Sequence, residues 1–361
     1  MAILKNKLKI NRISLDFENY YFFIKGVEKC GKTTLARDLT LKLYGKADAG
    51  LLLAIGKEKG YKALDNIQAL DVEDWSEFEE TIDDLIDNKN EYSHIKMIYI
   101  DTLDELVEMA EKETIAYSNR TTGKRVSTLN GALGGYGAGR KHLCKIVDEK
   151  LSYLKQAGYG ICVLGHTKLK TIKEQGMVEE QEFQVLDSNL NTDYANIVTH
   201  KADVIATINI EREVNESKRV TDTKRYIYFR GNGFISAGSR FSNIVDKVEL
   251  SADNFIKAIQ DAIRDSMTDK ISDAEFEKRK AEEKVENQKK ADAFIEKRKD
   301  TNEVEDIAVK YEKLETIKTN MDKLDMDFLQ GIMAKYSITS FGNAEIIPMA
   351  CLDELLDTIT G

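Results

Sequence analysis

Residues 26–34 read Gly-Val-Glu-Lys-Cys-Gly-Lys-Thr-Thr and match the phosphate-binding loop pattern G-x-x-x-x-G-K-[ST] in full. A short apolar segment, residues 20–24, precedes this stretch, and leucines at helical spacing follow it over residues 35–43. The pattern indicates phosphate binding only where it joins a strand to a helix, and the flanking residues predict this order here. The stretch therefore predicts a loop that binds the phosphates of a nucleotide.

The residue types in this loop suit that chemistry. Gly26 and Gly31 let the backbone turn so that its N–H groups face phosphate, and the following helix adds partial positive charge at its N-terminus. We expect Lys32 to reach the β- and γ-phosphates and to act in catalysis, and Thr33 to bind Mg²⁺, so that ATP and Mg²⁺ are the predicted cofactors. The residues predicted to bind nucleotide are Gly26, Val27, Glu28, Lys29, Cys30, Gly31, Lys32, Thr33 and Thr34.

Composition narrows the class of protein. The 361 residues carry a net charge of −10, which argues against coating nucleic acid by bulk charge. No apolar run reaches the roughly 18 residues that a transmembrane helix needs, and the N-terminus lacks the apolar core of a signal peptide. The four cysteines are scattered without C-x-x-C spacing, which favours a reducing cytoplasm over a zinc site or a disulfide framework. We therefore expect a cytoplasmic protein that does not contact a membrane.

Apolar segments that read as buried strands alternate with helical patterns through the first 210 residues. This alternation predicts an α/β fold with a doubly wound, mostly parallel sheet. An acidic helix is expected to begin near Asp71 and another helix to run from Leu103 to about Ser118, whereas residues 168–200 read as a long loop or a hairpin. The predicted strands cover residues 49–56, 95–101, 159–166, 202–210 and 225–230.

The sequence pattern of the chain changes near residue 250. We expect a nucleotide-binding core over residues 1–262, beginning with a strand or arm over residues 1–19. Residues 263–302 are rich in Lys and Glu and predict a charged helical linker or a short coiled coil. Residues 303–361 regain apolar periodicity and predict a small helical C-terminal module, with Pro348 at a turn before its last helix.

Asp101 closes the predicted strand of residues 95–101. A carboxylate at a strand end, two elements after a phosphate loop, is where P-loop enzymes place the Asp that holds Mg²⁺. Asp101 is therefore, with Thr33, a predicted metal-binding residue. It could also act as the N-cap of the helix that follows.

Two further polar residues lie at predicted strand ends. Glu58 follows the strand of residues 49–56 and is the candidate general base, able to orient and deprotonate the attacking water, although Glu28 competes for this role. His166, at the end of another strand, is the candidate catalytic sensor of the γ-phosphate, with a purely structural histidine as the alternative.

Residues 118–146, called the basic segment below, contain six Lys and Arg residues, no Asp or Glu, and several glycines around Tyr136. The cations can bind the phosphates of a nucleic acid, and the ring of Tyr136 can stack on a base. The glycines allow a flexible loop that becomes ordered on binding. The segment therefore predicts a nucleic-acid contact, with a nucleotide lid or an ordinary surface loop as alternatives. The candidate DNA-binding residues are Arg120, Lys124, Arg125, Tyr136, Arg140 and Lys141.

These features together resemble a known family. Residues 26–34 look like the phosphate loop of RecA-type recombinase ATPases, including Glu28 in the third position. The order of motifs over about residues 18–262 more closely resembles the phage-encoded RecA-like proteins whose better-known members are the Sak-type single-strand annealing proteins. The motifs that carry this resemblance are the loop, Glu58, Asp74-Trp75, Asp101-Thr102, Gly135-Tyr136-Gly137, Gly165-His166-Thr167 and Gly238-Ser239-Arg240-Phe241.

The resemblance implies a RecA-like core, ATP and Mg²⁺ binding, single-stranded DNA as a partner, and a homo-oligomer in the form of a ring or a filament. By position, Glu58 corresponds to the catalytic glutamate and His166 to the sensor, and residues 118–140 and 168–200 correspond to two DNA-facing loops. The chain departs from RecA at Val27, where RecA has Pro, and at His166, where RecA has Gln. The second loop is acidic, with Glu174, Glu179, Glu180 and Glu182.

The leading hypothesis is an ATP-binding and ATP-hydrolysing RecA-like protein that acts on single-stranded DNA in phage recombination or annealing, in a bacterial host cell. The alternative is a nucleotide-gated assembly or loader protein with little intrinsic hydrolysis that recruits replication or recombination partners. In either case the C-terminal module could bind a single-strand-binding protein. A small-molecule kinase is less favoured, because no lid-like arginine cluster follows a substrate cleft in the usual order.

Overall fold

The computed structural model describes residues 10–172, 182–214, 220–336, 338, 340–342, 344 and 347–360. These residues divide into two compact units, with the boundary after Ala291. Residues 1–9 of the expected N-terminal arm, and Glu174, Glu179 and Glu180 of the expected second loop, lie outside the described residues. Among the described helices, none has the length and apolar character needed to span a membrane.

The first unit is built on a sheet that has 10 strands in the described part of the chain. The strands are β1 (Tyr21–Gly26), β2 (Gly50–Ile55), β3 (Gln68–Val72), β4 (Met97–Asp101), β5 (Gly160–Ile172), β6 (Phe183–Ser188), β7 (Val204–Val214), β8 (Val220–Tyr228), β9 (Gly238–Ser239) and β10 (Lys247–Glu249).

The sheet order is β10-β8-β7-β1-β5-β4-β2-β3, with β6 paired to β5 and β9 to β7. The centre, from β7 through β3, is parallel, and β8, β9 and β10 add antiparallel pairs on one side. All residues of β1, β2 and β4 are buried, as expected for parallel strands covered on both faces. The predicted doubly wound, mostly parallel α/β core is confirmed.

Helices connect the strands and form the C-terminal region, which confirms the predicted helical extension. Two N-termini are capped as their sequences suggest: Asp74 accepts a hydrogen bond from Glu77 N, and Ser251 accepts one from Asn254 N. The helices are α1 (Lys32–Tyr44), α2 (Trp75–Asp87), α3 (Leu103–Thr122), α4 (Ala138–Gln156), α5 (Thr192–Thr199), α6 (Ala252–Asp265), α7 (Asp273–Thr319), α8 (Met326–Lys335) and α9 (Met349–Thr360).

Several predicted bounds were wrong. The helix expected from Asp71 begins at Trp75, because residues 68–72 form the edge strand β3, whose mixed exposure hides the strand pattern. The strand expected over residues 159–166 continues to Ile172 and pairs with β6, so the hairpin alternative for residues 168–200 is correct. The short helix α5 within that range was missed.

The N-terminal residues and the beginning of α7 belong to the first unit. Residues 10–16 form no strand, and a short 3-10 turn over Phe17–Asn19 leads into β1. Leu15 N donates to Glu283 Oε2 of α7 at 2.8 Å, and Phe276 joins the core cluster around β1, α1 and α6. The predicted linker over residues 263–302 is therefore helical from Asp273 onward, and its first turns pack on the core.

The second unit begins at Asp292 and has its own apolar cluster. The end of α7 contributes Leu314 and Ile317, and α9 contributes Cys351, Leu352 and Leu355, all buried. Cys351 N donates to Pro348 O at 3.0 Å, so the chain turns at the single proline immediately before α9.

Candidate nucleotide-binding and ATPase site

The phosphate loop lies between β1 and α1, as the motif requires. Gly31 immediately precedes α1 with a φ of 110°, a conformation that side chains disfavour. A Cβ on Gly26 would lie 2.6 Å from Cys30 Sγ and 3.0 Å from Ile208 O, so this position accepts only glycine without rearrangement. Because the loop leads directly into α1, the N–H groups of the first turn of α1, which have no partner within the helix, face the loop and favour an anion there.

Lys32 lies at the centre of the loop. Its Nζ donates to Gly26 O at 3.0 Å and to Val27 O at 3.1 Å, and it lies 3.3 Å from His166 Nδ1. The side chain is only 6% exposed. The ammonium group is thus held where it can exchange loop carbonyls for phosphate oxygens.

Thr33 and Asp101 are brought together as expected for a shared cation site. Thr33 Oγ1 donates to Asp101 Oδ2 at 2.7 Å. Burial raises the pKa of Asp101, and the bond from Thr33 opposes this effect. The N-cap of α3 is Thr102, the neighbour of Asp101, while the Asp101 carboxylate accepts the bond from Thr33. Both predicted roles are therefore compatible, and the metal-binding role stays a prediction.

The donor set at Thr33 and Asp101 fits Mg²⁺. This ion prefers hard oxygen ligands and is usually bound by one or two carboxylates together with substrate phosphates and water. No group of three or more described His, Cys, Asp and Glu side chains could hold a metal by protein ligands alone. The two residues would therefore hold the ion together with the nucleotide.

Glu58 and His166 form a hydrogen-bonded pair beside the loop. His166 Nε2 donates to Glu58 Oε1 at 2.8 Å. This bond lowers the pKa of Glu58, with Lys32 contributing, and it raises the pKa of the His166 imidazole. Glu58 is therefore ionised at neutral pH, the form that a general base requires.

His166 links the pair to the loop, because β5 places it opposite Gly26 of β1. Its Nδ1 faces Lys32 and its Nε2 faces Glu58. Lys32, His166 and Glu58 thus form a connected set of side chains, and Thr33 and Asp101 form a second hydrogen-bonded pair. These five residues are called the nucleotide site below. Glu28, the competing base, is exposed and makes no hydrogen bond or ion pair to any described residue.

The basic segment is more ordered than the sequence suggests. It comprises the end of α3, a 3-10 turn over Leu129–Gly134 and the beginning of α4. The side chain of Asn119 binds both Val126 N and Val126 O, and Ser118 Oγ accepts from Leu133 N. These bonds give an ordered turn where a flexible loop was expected.

The six candidate DNA-binding residues are exposed but not equivalent. Arg120 pairs with Glu113 at 2.6 Å and Arg140 with Asp193 at 2.9 Å. Tyr136 is fully exposed with a φ of 50° and lies between glycines of positive φ, so its ring points into solvent. The candidates that make no ion pair with any described residue are Lys124, Arg125 and Lys141.

The basic segment and the nucleotide site lie near the same edge of the sheet. Asn189 N donates to His166 O at 2.8 Å, and Asp193, in the first turn of α5, binds Arg140. A short stretch of chain therefore joins the sensor candidate to the basic segment.

Two residues that the motifs did not indicate lie beside this region, Lys25 next to Gly26 in β1 and Asp104 against His166. Lys25 is 2% exposed and forms an ion pair with Asp187 of β6, which holds the pKa of Asp187 at about 2. Asp104 Oδ2 accepts a hydrogen bond from His166 N at 2.9 Å. The position of Lys25 inside an apolar strand could have indicated a buried ion pair from the sequence. Asp104 is one acidic residue at the start of a helix, and nothing in the sequence indicates its contact with His166.

Comparison with known proteins places this geometry in a family. A solved KaiC-like protein from the hyperthermophilic archaeon Pyrococcus horikoshii OT3 matches 64% of this chain and 85% of its own length, with 13% identity and a TM-score of 0.34. No curated protein matches the sequence. A family model described as an AAA domain matches residues 18–241, more than half of the chain. The chain therefore belongs to the AAA domain family, and its core is a P-loop ATPase domain.

Proposed function

We propose that this protein hydrolyses ATP with Mg²⁺ and couples hydrolysis to single-stranded DNA, as a phage-encoded RecA-like recombination or annealing ATPase of the Sak type. The observation that carries the proposal is the connected set formed by Lys32, Glu58 and His166, with His166 O bound to the stretch that leads to the basic segment.

In this proposal the protein promotes hydrolysis by positioning the triphosphate and by stabilising its negative charge. The α1 amides and Lys32 bind the triphosphate and stabilise negative charge on the transferring group. Thr33 and Asp101 would hold Mg²⁺, which would neutralise part of the phosphate charge. Glu58, which is ionised at neutral pH, accepts the proton of the attacking water as water attacks the γ-phosphate and ADP leaves.

His166 reports the γ-phosphate. Its imidazole binds Glu58 and faces Lys32, so a phosphate that draws Lys32 away from its present carbonyl partners changes the surroundings of Nδ1. The main chain of His166 is bound to Asn189, a few residues from Asp193 and its partner Arg140. This contiguity supports a two-way coupling between nucleotide and the basic segment.

Single-stranded DNA suits the basic segment because phosphate binding and base stacking need no sequence readout. Lys124, Arg125 and Lys141 are exposed and make no ion pair with any described residue, and the exposed Tyr136 offers a ring for stacking. We propose a homo-oligomer as the active form, and we propose the second unit as the site for a single-strand-binding protein.

The test is a titration of the steady-state ATPase rate with single-stranded and duplex DNA, combined with mass measurement with and without ATP. We expect the single strand to raise the rate more than the duplex and ATP to raise the mass. Tight ATP binding with a slow rate that no DNA changes would instead favour the nucleotide-gated loader.

A further inference from the structure

The main chain of His166 is held in an unusual way. Strand β4 ends at Asp101, opposite Leu164, whereas β5 runs on to Ile172. Beyond Leu164, β5 therefore has no β4 residue beside it to continue the ladder. The His166 N–H donates instead to Asp104 Oδ2, in the first turn of α3, at 2.9 Å.

The Asp104 carboxylate thus replaces a strand carbonyl. On its other side, β5 still pairs with β1, where His166 lies opposite Gly26 of the phosphate loop. The His166 carbonyl accepts from Asn189 N at 2.8 Å. Asp104 and Asn189 therefore fix the peptide groups on both sides of the His166 Cα, which sets the direction of the imidazole.

Packing leaves this stretch little room to shift. A Cβ on the preceding Gly165 would lie 2.8 Å from the Phe23 ring and 3.6 Å from Asp104 Oδ2. The backbone of β5 therefore lies directly against both side chains. A loss of the Asp104 contact would leave the amide without its partner, since β4 has already turned away into α3.

The charge of Asp104 also acts on the imidazole. Asp104 Oδ1 is buried and has no hydrogen-bond partner among the described residues. The pKa of His166 is raised chiefly by the bond to Glu58, burial and Lys32 oppose this effect, and the Asp104 charge adds to it. Asp104 thus contributes both an acceptor for the amide and a negative charge near the ring.

We propose that Asp104 is a positioning residue, whose carboxylate holds the main chain of His166 so that the imidazole stays between Glu58 and Lys32. The inference rests on the proposed function, because it gives Asp104 a part in the same hydrolysis. The simpler alternative is an acidic residue that only favours the N-terminus of α3.

Three variants separate these possibilities. Asp104→Ala removes the acceptor and the charge, whereas Asp104→Asn keeps an acceptor oxygen and removes only the charge. Glu108→Ala is the matched control, since Glu108 lies one turn further along α3 and pairs with exposed lysines. Thermal unfolding and binding of a fluorescent ATP analogue establish that each variant is folded and competent to bind nucleotide.

We expect Asp104→Ala to lower kcat for ATP at least about tenfold with KM changed less than about threefold, because a misplaced imidazole no longer orients Glu58 for the chemical step. Asp104→Asn should recover most of the activity, and Glu108→Ala should match the wild type. A kcat for Asp104→Ala equal to that of Glu108→Ala, or no recovery in Asp104→Asn, would overturn the proposal.

An NMR titration of the imidazoles supplies a readout that does not need turnover. The chain has four histidines, so His166 can be assigned with a His166→Gln variant. We expect Asp104→Asn to lower the His166 pKa, because the nearby negative charge is lost, and Glu108→Ala to leave it unchanged. Asp104→Ala should lower the His166 pKa further than Asp104→Asn does, because an imidazole that is no longer held in place loses the bond to Glu58 that raises its pKa. Equal His166 pKa values in the two variants would contradict the inference, whereas a further drop in Asp104→Ala together with a wild-type protein that does not hydrolyse ATP would contradict only the proposed function.

Discussion

In the nucleotide site, each polar side chain is bound to another member of the site, whereas in the basic segment the unpaired cations and Tyr136 extend into solvent. Lys32 is 6% and Asp101 is 3% exposed, and short hydrogen bonds fix both. Lys124, Arg125 and Lys141 are exposed and make no ion pair with the rest of the described chain.

This difference between the nucleotide site and the basic segment matches the ligands proposed for them, a nucleoside triphosphate and single-stranded DNA. A triphosphate is small, and its reaction requires catalytic groups held in a fixed geometry. A nucleic-acid backbone is a line of charge, and binding it depends on counterion release more than on fixed distances. Substitutions in the first region should therefore change rates, and substitutions in the second should change affinity and its dependence on salt.

The largest effect is expected at Glu58. Glu58→Gln removes the proton acceptor but keeps the shape, so we expect the ATPase kcat to fall by about 10²- to 10⁴-fold while ATP binding is retained. A phosphate-release assay and a binding titration measure the two quantities. Glu28→Gln is the comparison and should lower the rate less than Glu58→Gln does, because the Glu28 side chain, although part of the phosphate loop, is exposed and makes no hydrogen bond to any described residue. A larger loss at Glu28 than at Glu58 would reverse the assignment of the base.

The second-largest effect is a loss of DNA affinity, expected when the unpaired cations of the basic segment are replaced. Replacing Lys124, Arg125 and Lys141 together by Ala should weaken single-stranded DNA binding at least about tenfold and reduce the slope of log affinity against log salt by about 2. Fluorescence anisotropy at several salt concentrations measures both. Replacing Arg120 and Arg140 should cost less, because each is already paired with an acidic residue. An equal salt slope in the triple variant and the wild type would exclude these residues from the interface.

Tyr136 tests stacking separately from charge. Tyr136→Ala should weaken single-stranded DNA binding by about 1–3 kcal/mol if the ring stacks on one base. Tyr136→Phe keeps the ring and should bind as the wild type does. The salt slope should be the same in all three proteins, because no cation is removed. Equal losses in both variants would show that the ring is not what binds.

The smallest effect is the pH dependence of the Glu58–His166 bond. The pKa of His166 is raised above 6.5, so its contribution to stability is complete below pH 6.5 and lost as pH rises through the raised value. The pKa of Glu58 is lowered below 4.5, so its contribution is complete above pH 4.5 and lost as pH falls through the lowered value. The coupling between the two side chains should therefore be greatest in the pH range between these limits.

A double-mutant cycle with Glu58→Gln and His166→Gln measures this coupling by chemical unfolding. We expect about 1 kcal/mol near pH 6 and a smaller value near pH 9. A coupling that grows with pH would mean that the charged imidazole is not the form that Glu58 stabilises.

The sequence predicts the nucleotide site better than its surroundings. Lys32, Thr33, Asp101, Glu58 and His166 meet because they end or follow parallel strands whose carboxyl ends share one edge of the sheet. That arrangement follows from alternating strands and helices, which periodicity reveals. The contacts that hold the site are therefore consequences of the fold class and the motif.

The remaining parts depend on contacts that no local pattern records. Strand β3 was missed because only Val72 among its residues is buried. The bond from His166 to Asp104 exists because β4 ends before β5 does, a difference in strand length that the sequence does not show. In the basic segment, the bonds from Asn119 and Ser118 replace expected flexibility with a defined turn.

The coupling of the two regions is tested most directly by the steady-state ATPase rate as a function of single-stranded DNA, measured for the wild type and for the Lys124, Arg125 and Lys141 triple variant. We expect equal rates without DNA, stimulation of the wild type, and at least about tenfold more DNA for half-maximal stimulation of the variant. Superimposable curves, or no stimulation of the wild type by any DNA, would contradict the coupling of hydrolysis to DNA through the basic segment.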